Sequence, residues 1–149
     1  MCYSLILSTT SDRYLTVSNN QAVIFSRVLP EIPQVSELKH AHKWLVGSRS
    51  GCSCSFRHLY SVDLGFSEPV DWYVEDQEDI DATLQVIAII RELVANGESV
   101  DCIDAWGDPP GLVRATELTV DLKRVSDREF RFFENHHFVF TDATPNAVR

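Results

Sequence analysis

The residues best able to do chemistry lie between positions 47 and 58, where the chain reads Gly-Ser-Arg-Ser-Gly-Cys-Ser-Cys-Ser-Phe-Arg-His. In an extended chain alternate side chains share a face, so Cys52, Cys54 and His58 would point the same way. Thiolates and imidazoles are ligands that zinc and iron take in proteins. Extended geometry spaces the two sulfurs roughly 6.6 Å apart, whereas sulfurs on a tetrahedral zinc lie about 3.8 Å apart. Metal binding therefore requires a bend in the chain, which Gly51 permits.

Two further cysteines extend this hypothesis. Cys102 follows the predicted long helix and would supply another ligand if the sheet brings it near the loop. Cys2 is a candidate nucleophile, because removal of Met1 would leave its thiol beside a free α-amine, although Tyr3 follows where enzymes of this kind continue with glycine. The candidate metal ligands are thus Cys52, Cys54, His58 and Cys102, and the candidate catalytic residues are Cys52, Cys54, His58 and Cys2.

The loop admits interpretations other than a metal site. Cys52 and Cys54 could form a reactive or redox thiol pair, or they could be inert buried cysteines. Arg49 and Arg57, among serines and glycines with free backbone N–H groups, could bind an anion, although the Gly-Lys-Ser/Thr of a phosphate-binding loop is missing. No resident cofactor is predicted, and zinc or iron is the metal that the Cys/His set would take. The resulting hypothesis is a thiol- or metal-dependent activity on an anionic substrate.

The charge of the chain is unevenly distributed. The net charge is −9, and residues 61–110 hold one basic residue against thirteen acidic ones, whereas residues 1–60 hold six against three. Such a block repels nucleic-acid phosphates and attracts a basic protein surface. The predicted partner-binding residues are Glu75, Asp76, Glu78 and Asp79. A small acidic binding protein without catalysis, engaging a basic protein partner, is the favoured function, and enzymatic activity is the alternative.

Other titratable residues lack a recognisable spacing. Asp101 and Asp104 would face opposite sides of a strand and cannot share an ion. We interpret them as part of a solvated acidic rim, and the adjacent histidines as surface residues or as the edge of the core. The residues so interpreted are Asp71, Glu75, Asp101, Asp104, Asp108, His136 and His137.

Hydrophobic periodicity predicts the elements that position these groups. Apolar residues recur at helical spacing between 76 and 96, and Asn96-Gly97 ends that helix. Short alternating runs predict strands at 3–9, 22–29, 42–48 and 99–106, followed by a C-terminal β-meander of alternating aromatic residues. The predicted fold is a single α+β domain over 1–149, with a mainly antiparallel sheet and one long buried helix.

Composition gives the broad class. A chain of 149 residues that is 44% hydrophobic and 23% charged is typical of a globular protein. It has neither a signal-peptide pattern nor an apolar run of about 20 residues, so we expect a soluble cytoplasmic protein that does not bind membranes. Four unevenly spaced cysteines indicate reduced thiols rather than a disulfide framework. Exposed sheet edges would allow a homodimer.

Overall fold

The computed structural model describes residues 2–59, 66, 74–106 and 114–142, which form a six-stranded sheet, a two-stranded sheet and one long helix. The strands are β1 (Tyr3–Thr9), β2 (Val23–Ser26), β3 (His42–Ser48), β4 (His58–Leu59), β5 (Val100–Trp106), β6 (Thr116–Asp121), β7 (Phe132–Phe133) and β8 (His136–Thr141), and the helix is α1 (Gln77–Ala95). The order in the large sheet is β2-β3-β1-β5-β8-β6. Four of its five pairings are antiparallel, which confirms the predicted fold class.

The C-terminal strands are arranged differently from the predicted meander. β6 and β8 are parallel neighbours, with Leu118 opposite Phe138, and β7 between them in sequence belongs to the small sheet. The cause is backbone pairing with β4, since Phe132 N–H donates to Arg57 O and Glu134 N–H donates to Leu59 O, each at 2.8 Å. Because β7 pairs with β4 in the small sheet and does not pair with β6, β8 is the strand that lies beside β6, and the two run parallel.

Helix α1 confirms the predicted element at both ends. The side chain of Asp76 accepts a hydrogen bond from Glu78 N–H as the N-terminal cap. Gly97 has φ of +89°, the left-handed conformation that ends many helices and that glycine adopts without strain. The buried face of α1 includes Val86, Ile90 and Leu93, which join the main core on one face of the large sheet.

The two central strands, β1 and β5, are covered on both faces. Leu7 and Cys102 belong to the main core beneath α1, whereas Ile6 and Ile103 belong to a smaller apolar cluster on the opposite face. The smaller cluster is completed by Leu38, Ala105 and Ala115. Every residue of β5 from Val100 to Ala105 is therefore buried.

The interpretation of Asp101 and Asp104 as a solvated rim was wrong. Both are fully buried in β5, on opposite faces as the alternation predicts, and each bonds to a histidine. His137 is buried as well, whereas His136 is only partly covered. The sequence pattern missed this because a charged residue reads as exposed unless its partner, which is distant in sequence, is known. Asp71 and Asp108 lie outside the described residues.

No helix in the described part of the chain combines the length and the apolar character needed to cross a lipid bilayer.

Candidate functional site

The cysteine loop contains the bend that metal binding requires. Gly51 has φ of +87°, and the turn before it is closed by Gly51 N–H donating to Ser48 O at 2.9 Å. Ser48 N–H donates in turn to Cys52 O at 2.7 Å, and a short 3-10 helix follows over Ser53–Ser55. The chain from 52 to 55 is therefore curled rather than extended, and the side chains of Cys52 and Cys54 are brought together.

Three cysteines converge at this loop. The sulfurs of Cys2, Cys52 and Cys54 all lie within 4.8 Å of one another. Cys2 reaches the group because β1 lies beside the loop, where Leu5 N–H donates to Ser53 Oγ at 2.9 Å and Ser53 Oγ–H donates to Val46 O at 2.6 Å. The cluster is accessible, since Cys2 is exposed and the other two are partly exposed. Three nearby thiols of this kind could hold a metal ion.

The two loop thiols have very different acidities. A hydrogen bond from Ser50 Oγ, 3.4 Å away, is the main reason that the pKa of Cys52 is lowered from 9.0 to about 7, with Cys54 and Cys2 adding to the effect and burial opposing it. Burial and the bond to Cys52 raise the pKa of Cys54 to about 12, against a backbone N–H of Tyr3 that lowers it. At neutral pH Cys52 is therefore partly ionised, whereas Cys54 is protonated.

His58 bonds to the backbone of the loop and does not belong to the cysteine cluster. Its Nδ1 lies 2.7 Å from Asp104 Oδ2, and its Nε2 lies 2.7 Å from Ser53 O. The ring also stacks on Tyr3, with centroids 3.6 Å apart and planes 4° from parallel. Because a carbonyl oxygen only accepts, Nε2 must carry a proton, and a second proton must lie between Nδ1 and the carboxyl group.

That shared proton is held tightly. Burial lowers the pKa of His58, but the charge of Asp104 and the hydrogen bond to it outweigh burial, so the pKa is raised above 6.5. Burial raises the pKa of Asp104, and His58 only partly offsets it. Asp104 Oδ1 has no hydrogen-bond partner among the described residues, which adds to the cost of a bare carboxylate. We therefore treat His58 and Asp104 as one unit that retains its proton at neutral pH.

Cys102 lies in the core of the sheet. It is buried in β5, in register with Leu7 on one side and Phe138 on the other. Burial, with smaller contributions from Asp101 and Asp104, raises its pKa well above 9.0. In the described part of the chain, the group of metal-ligating atoms contains neither Cys102 nor His58, and Cys2 takes the third position.

Arg57 is buried in an ion-pair network. Its Nε donates to Glu75 Oε2 at 2.8 Å, and Arg131 Nη2 donates to Glu75 Oε1 at 3.0 Å. Burial raises the pKa of Glu75, but the bonds and charges of the two arginines outweigh it and the pKa is lowered. The side chain of Glu75 is only 9% exposed, so this carboxylate is occupied within the protein.

Arg49 contacts the start of α1. Its guanidinium lies 2.9 Å from Asp79, 3.1 Å from Glu78 and 3.5 Å from Asp76. Both arginines that the sequence suggested for anion binding therefore bond to carboxylates, and anion binding by them stays a prediction. One guanidinium shared by three carboxylates leaves this end of α1 negatively charged.

A cavity of about 290 Å³ lies beside the cysteine cluster and connects these groups. Its walls include Tyr3, Cys54, His58, Glu75 and Asp79. Cys54 belongs both to the cysteine cluster and to the cavity wall, so a small molecule in the cavity would lie next to a thiol. Cavities of this size take small ligands.

Sequence reasoning missed the residues that organise this site. Ser50 and Ser53 resemble ordinary loop residues in the sequence, and Tyr3 resembles the start of a strand. In the structure Ser50 lowers the pKa of Cys52, Ser53 bonds the loop to β3, and Tyr3 stacks on His58. The sequence does contain one signal, since a carboxylate among apolar residues in a strand, such as Asp104, requires a buried partner.

Comparison of the chain with protein families, curated proteins and solved structures finds no match.

Alkylation of the thiols tests the electrostatics of the loop. Because the thiolate is the reacting form, we expect the labelling rate of Cys52 by iodoacetamide to rise with a midpoint near pH 7, its lowered pKa. Ser50→Ala removes the largest cause of that shift, so the midpoint should move towards 9.0. Ser55→Ala is the matched control and should change nothing. Peptide mass spectrometry across the neutral and alkaline range measures each site, and a wild-type midpoint near that of a free thiol would contradict this account.

Proposed function

We propose that the protein binds a thiophilic metal ion, zinc or iron, through Cys2, Cys52 and Cys54. The observation that carries this proposal is the convergence of three sulfurs within 4.8 Å at an accessible loop. Sulfurs around a tetrahedral zinc lie about 3.8 Å apart, so a displacement of about 1 Å at the surface gives coordination geometry. This site replaces the sequence-predicted set, in which His58 and Cys102 were ligands.

The chemistry of the donors fits such an ion. Cys52 supplies a thiolate near neutral pH, and the bound ion would displace the protons of the other two thiols. The backbone N–H of Tyr3 that bonds to Cys54 favours its thiolate form and fixes its orientation. Three protein ligands leave a fourth coordination position for water or a substrate. Since Cys54 also lines the cavity of about 290 Å³, the cavity gives a small molecule room to approach the fourth coordination position.

Metal analysis of single variants tests this proposal. Protein purified without chelator should take up one equivalent of zinc, and substitution by Ser of Cys2, Cys52 or Cys54 should weaken zinc binding by more than about tenfold, because each removes a ligand. Cys102→Ala is the control, since it removes a thiol from the core and leaves the cluster intact. Native mass spectrometry and competition with a chromophoric chelator measure stoichiometry and affinity. If wild type and Cys52→Ser bind zinc equally well, and also bind iron equally well, the proposal is refuted.

We infer a second candidate function, binding of a basic protein surface, from the charge at the start of α1. Asp76, Glu78 and Asp79 share the single guanidinium of Arg49, and Asp81 is exposed beside them. Four carboxylates against one cation give this surface a negative potential that favours lysines and arginines. We do not include Glu75 in this acidic surface, because its carboxylate is already paired with Arg57 and Arg131.

Charge reversal at two exposed positions tests the second function. Glu78→Lys with Asp81→Lys should abolish binding of a fluorescent oligolysine peptide at low salt and leave the fold intact, since both side chains lie on the surface. Glu75→Gln should leave peptide binding unchanged while lowering the free energy of unfolding by about 3 kcal/mol, because it removes the carboxylate charge that two buried arginines share. Fluorescence anisotropy and chemical denaturation give the two readouts. Unchanged binding by the double variant would contradict this function and would leave the metal proposal untouched.

A further inference from the structure

The cysteine cluster brings free thiols close to one another as well as gathering metal ligands. The sulfurs of Cys2, Cys52 and Cys54 lie within 4.8 Å of one another, and all three residues are free cysteines. The sulfurs of a disulfide are about 2.05 Å apart, so any pair in the cluster has to approach by less than about 3 Å. Cys2 is exposed and the other two are partly exposed, so a small oxidant can reach them from solvent. The geometry therefore favours disulfide formation as well as metal binding.

Cys2 and Cys52 are the pair with the fewest restraints. Cys2 precedes β1, and Cys52 precedes the 3-10 helix of the loop. Cys54 lies inside that helix, beside Ser53, whose hydroxyl bonds to β1 and β3. The sulfur of Cys54 also accepts a hydrogen bond from Tyr3 N–H. A disulfide between Cys52 and Cys54 would close a ring over one intervening residue, and the helical backbone opposes the distortion that such a ring requires.

Cys52 is the thiol placed to react first. Ser50 Oγ lies 3.4 Å from the Cys52 sulfur, where its hydroxyl can donate to a thiolate. The thiolate is the form that attacks an oxidant, and a neighbouring second thiol converts the oxidised sulfur into a disulfide. Cys2 supplies that second thiol. Cys102 takes no part, because it is buried in the core of the sheet.

We propose that Cys2 and Cys52 form a peroxide-sensitive thiol switch, which releases the metal ion of the proposed site when it is oxidised. The Cys52 thiolate attacks one oxygen of hydrogen peroxide, the O–O bond breaks, and the departing hydroxide takes a proton from solvent. The sulfur of Cys2 then attacks the resulting sulfenic acid, the S–O bond breaks, and the departing hydroxide leaves as water with the proton of the Cys2 thiol. Two thiols are oxidised by two electrons, and the peroxide is reduced to two waters.

The disulfide and the bound metal ion exclude each other. Oxidation of Cys2 and Cys52 removes two of the three thiolates, and Cys54 alone does not hold the ion. A bound ion in turn engages the sulfur electron pairs that would attack the peroxide, so it slows the oxidation. Release of the metal ion rests on the function proposed above, whereas formation of the disulfide does not.

Oxidation of the metal-free full chain tests the disulfide by itself. Hydrogen peroxide should link the Cys2 and Cys52 peptides, and tris(2-carboxyethyl)phosphine should separate them again, as followed by peptide mass spectrometry. Cys102→Ala is the matched control and should form the same disulfide. Cys2→Ser, a change at an exposed position, should leave Cys52 to oxidise further to the sulfinic acid. In urea, which separates the three sulfurs, the link between Cys2 and Cys52 should become a minor product.

Three results with the metal-free chain would each overturn the proposal. The first is a folded wild type in which peroxide leaves the two thiols free or oxidises them separately. The second is a main product that links Cys54 to another cysteine. The third is the same mixture of disulfides from the folded chain and from the chain in urea, which would show that the folded geometry does not select the pair.

Zinc release tests the control of metal binding. Zinc-loaded protein treated with peroxide should lose its ion to a chromophoric chelator as the disulfide forms, and the oxidised chain should bind zinc at least about tenfold more weakly than the reduced chain, because ligands are lost. The zinc-loaded protein should also oxidise more slowly than the metal-free protein. A disulfide that forms while zinc stays bound would overturn the switch and leave the metal proposal standing. A reduced protein that binds no zinc would overturn the metal function and its control, but not the disulfide.

Discussion

Two aspartates buried in one central strand set the constraint on which the rest of this structure depends. Asp101 and Asp104 lie in β5, which is covered on both faces, and neither reaches water. An unpaired charge in such a place costs several kcal/mol, so each carboxylate needs a partner brought from elsewhere in the chain. His58 meets Asp104 beneath the cysteine loop, and His137 meets Asp101 on the other face. Burial of these two aspartates in the sheet is therefore stabilised by segments that are distant in sequence.

The same pairings position the cysteine loop and join distant segments on the opposite face of the sheet. On the face of α1, His58 connects Asp104 to Ser53 O, and Ser53 Oγ connects the loop to β1 and β3, so the curl that gathers the cysteines is held from three directions. On the opposite face, Asp101 bonds to His137 and accepts from Lys39 N–H, which holds the segment before β3 against β5. Each histidine bonds through one ring nitrogen to an aspartate of β5, and the second ring nitrogen of His58 bonds to the cysteine loop.

The sequence predicted the local elements well and their pairing poorly. The helix at 76–96 and the strands at 3–9 and 42–48 were predicted nearly to the residue, because periodicity and the Asp76 and Gly97 ends are local signals. The bend at Gly51 was likewise predicted as the condition for joining the thiols. Cys2 as a third thiol, the histidine partners of the buried aspartates and the parallel pairing of β6 with β8 all depend on contacts between segments far apart in sequence. No local pattern encodes such contacts.

The pH dependence of stability in Asp104→Asn tests the central claim most directly. In the folded chain the pKa of His58 is raised above 6.5, so its stabilisation is fully present below that value and is lost as pH rises through the folded pKa. The amide introduced by this substitution can donate to a neutral Nδ1 of His58, which keeps the hydrogen bond and removes the shared proton. The account predicts that the difference in free energy of unfolding, wild type minus variant, falls steadily from pH 6.5 upwards, other titrating groups cancelling in the difference. A difference that stays constant with pH would contradict it.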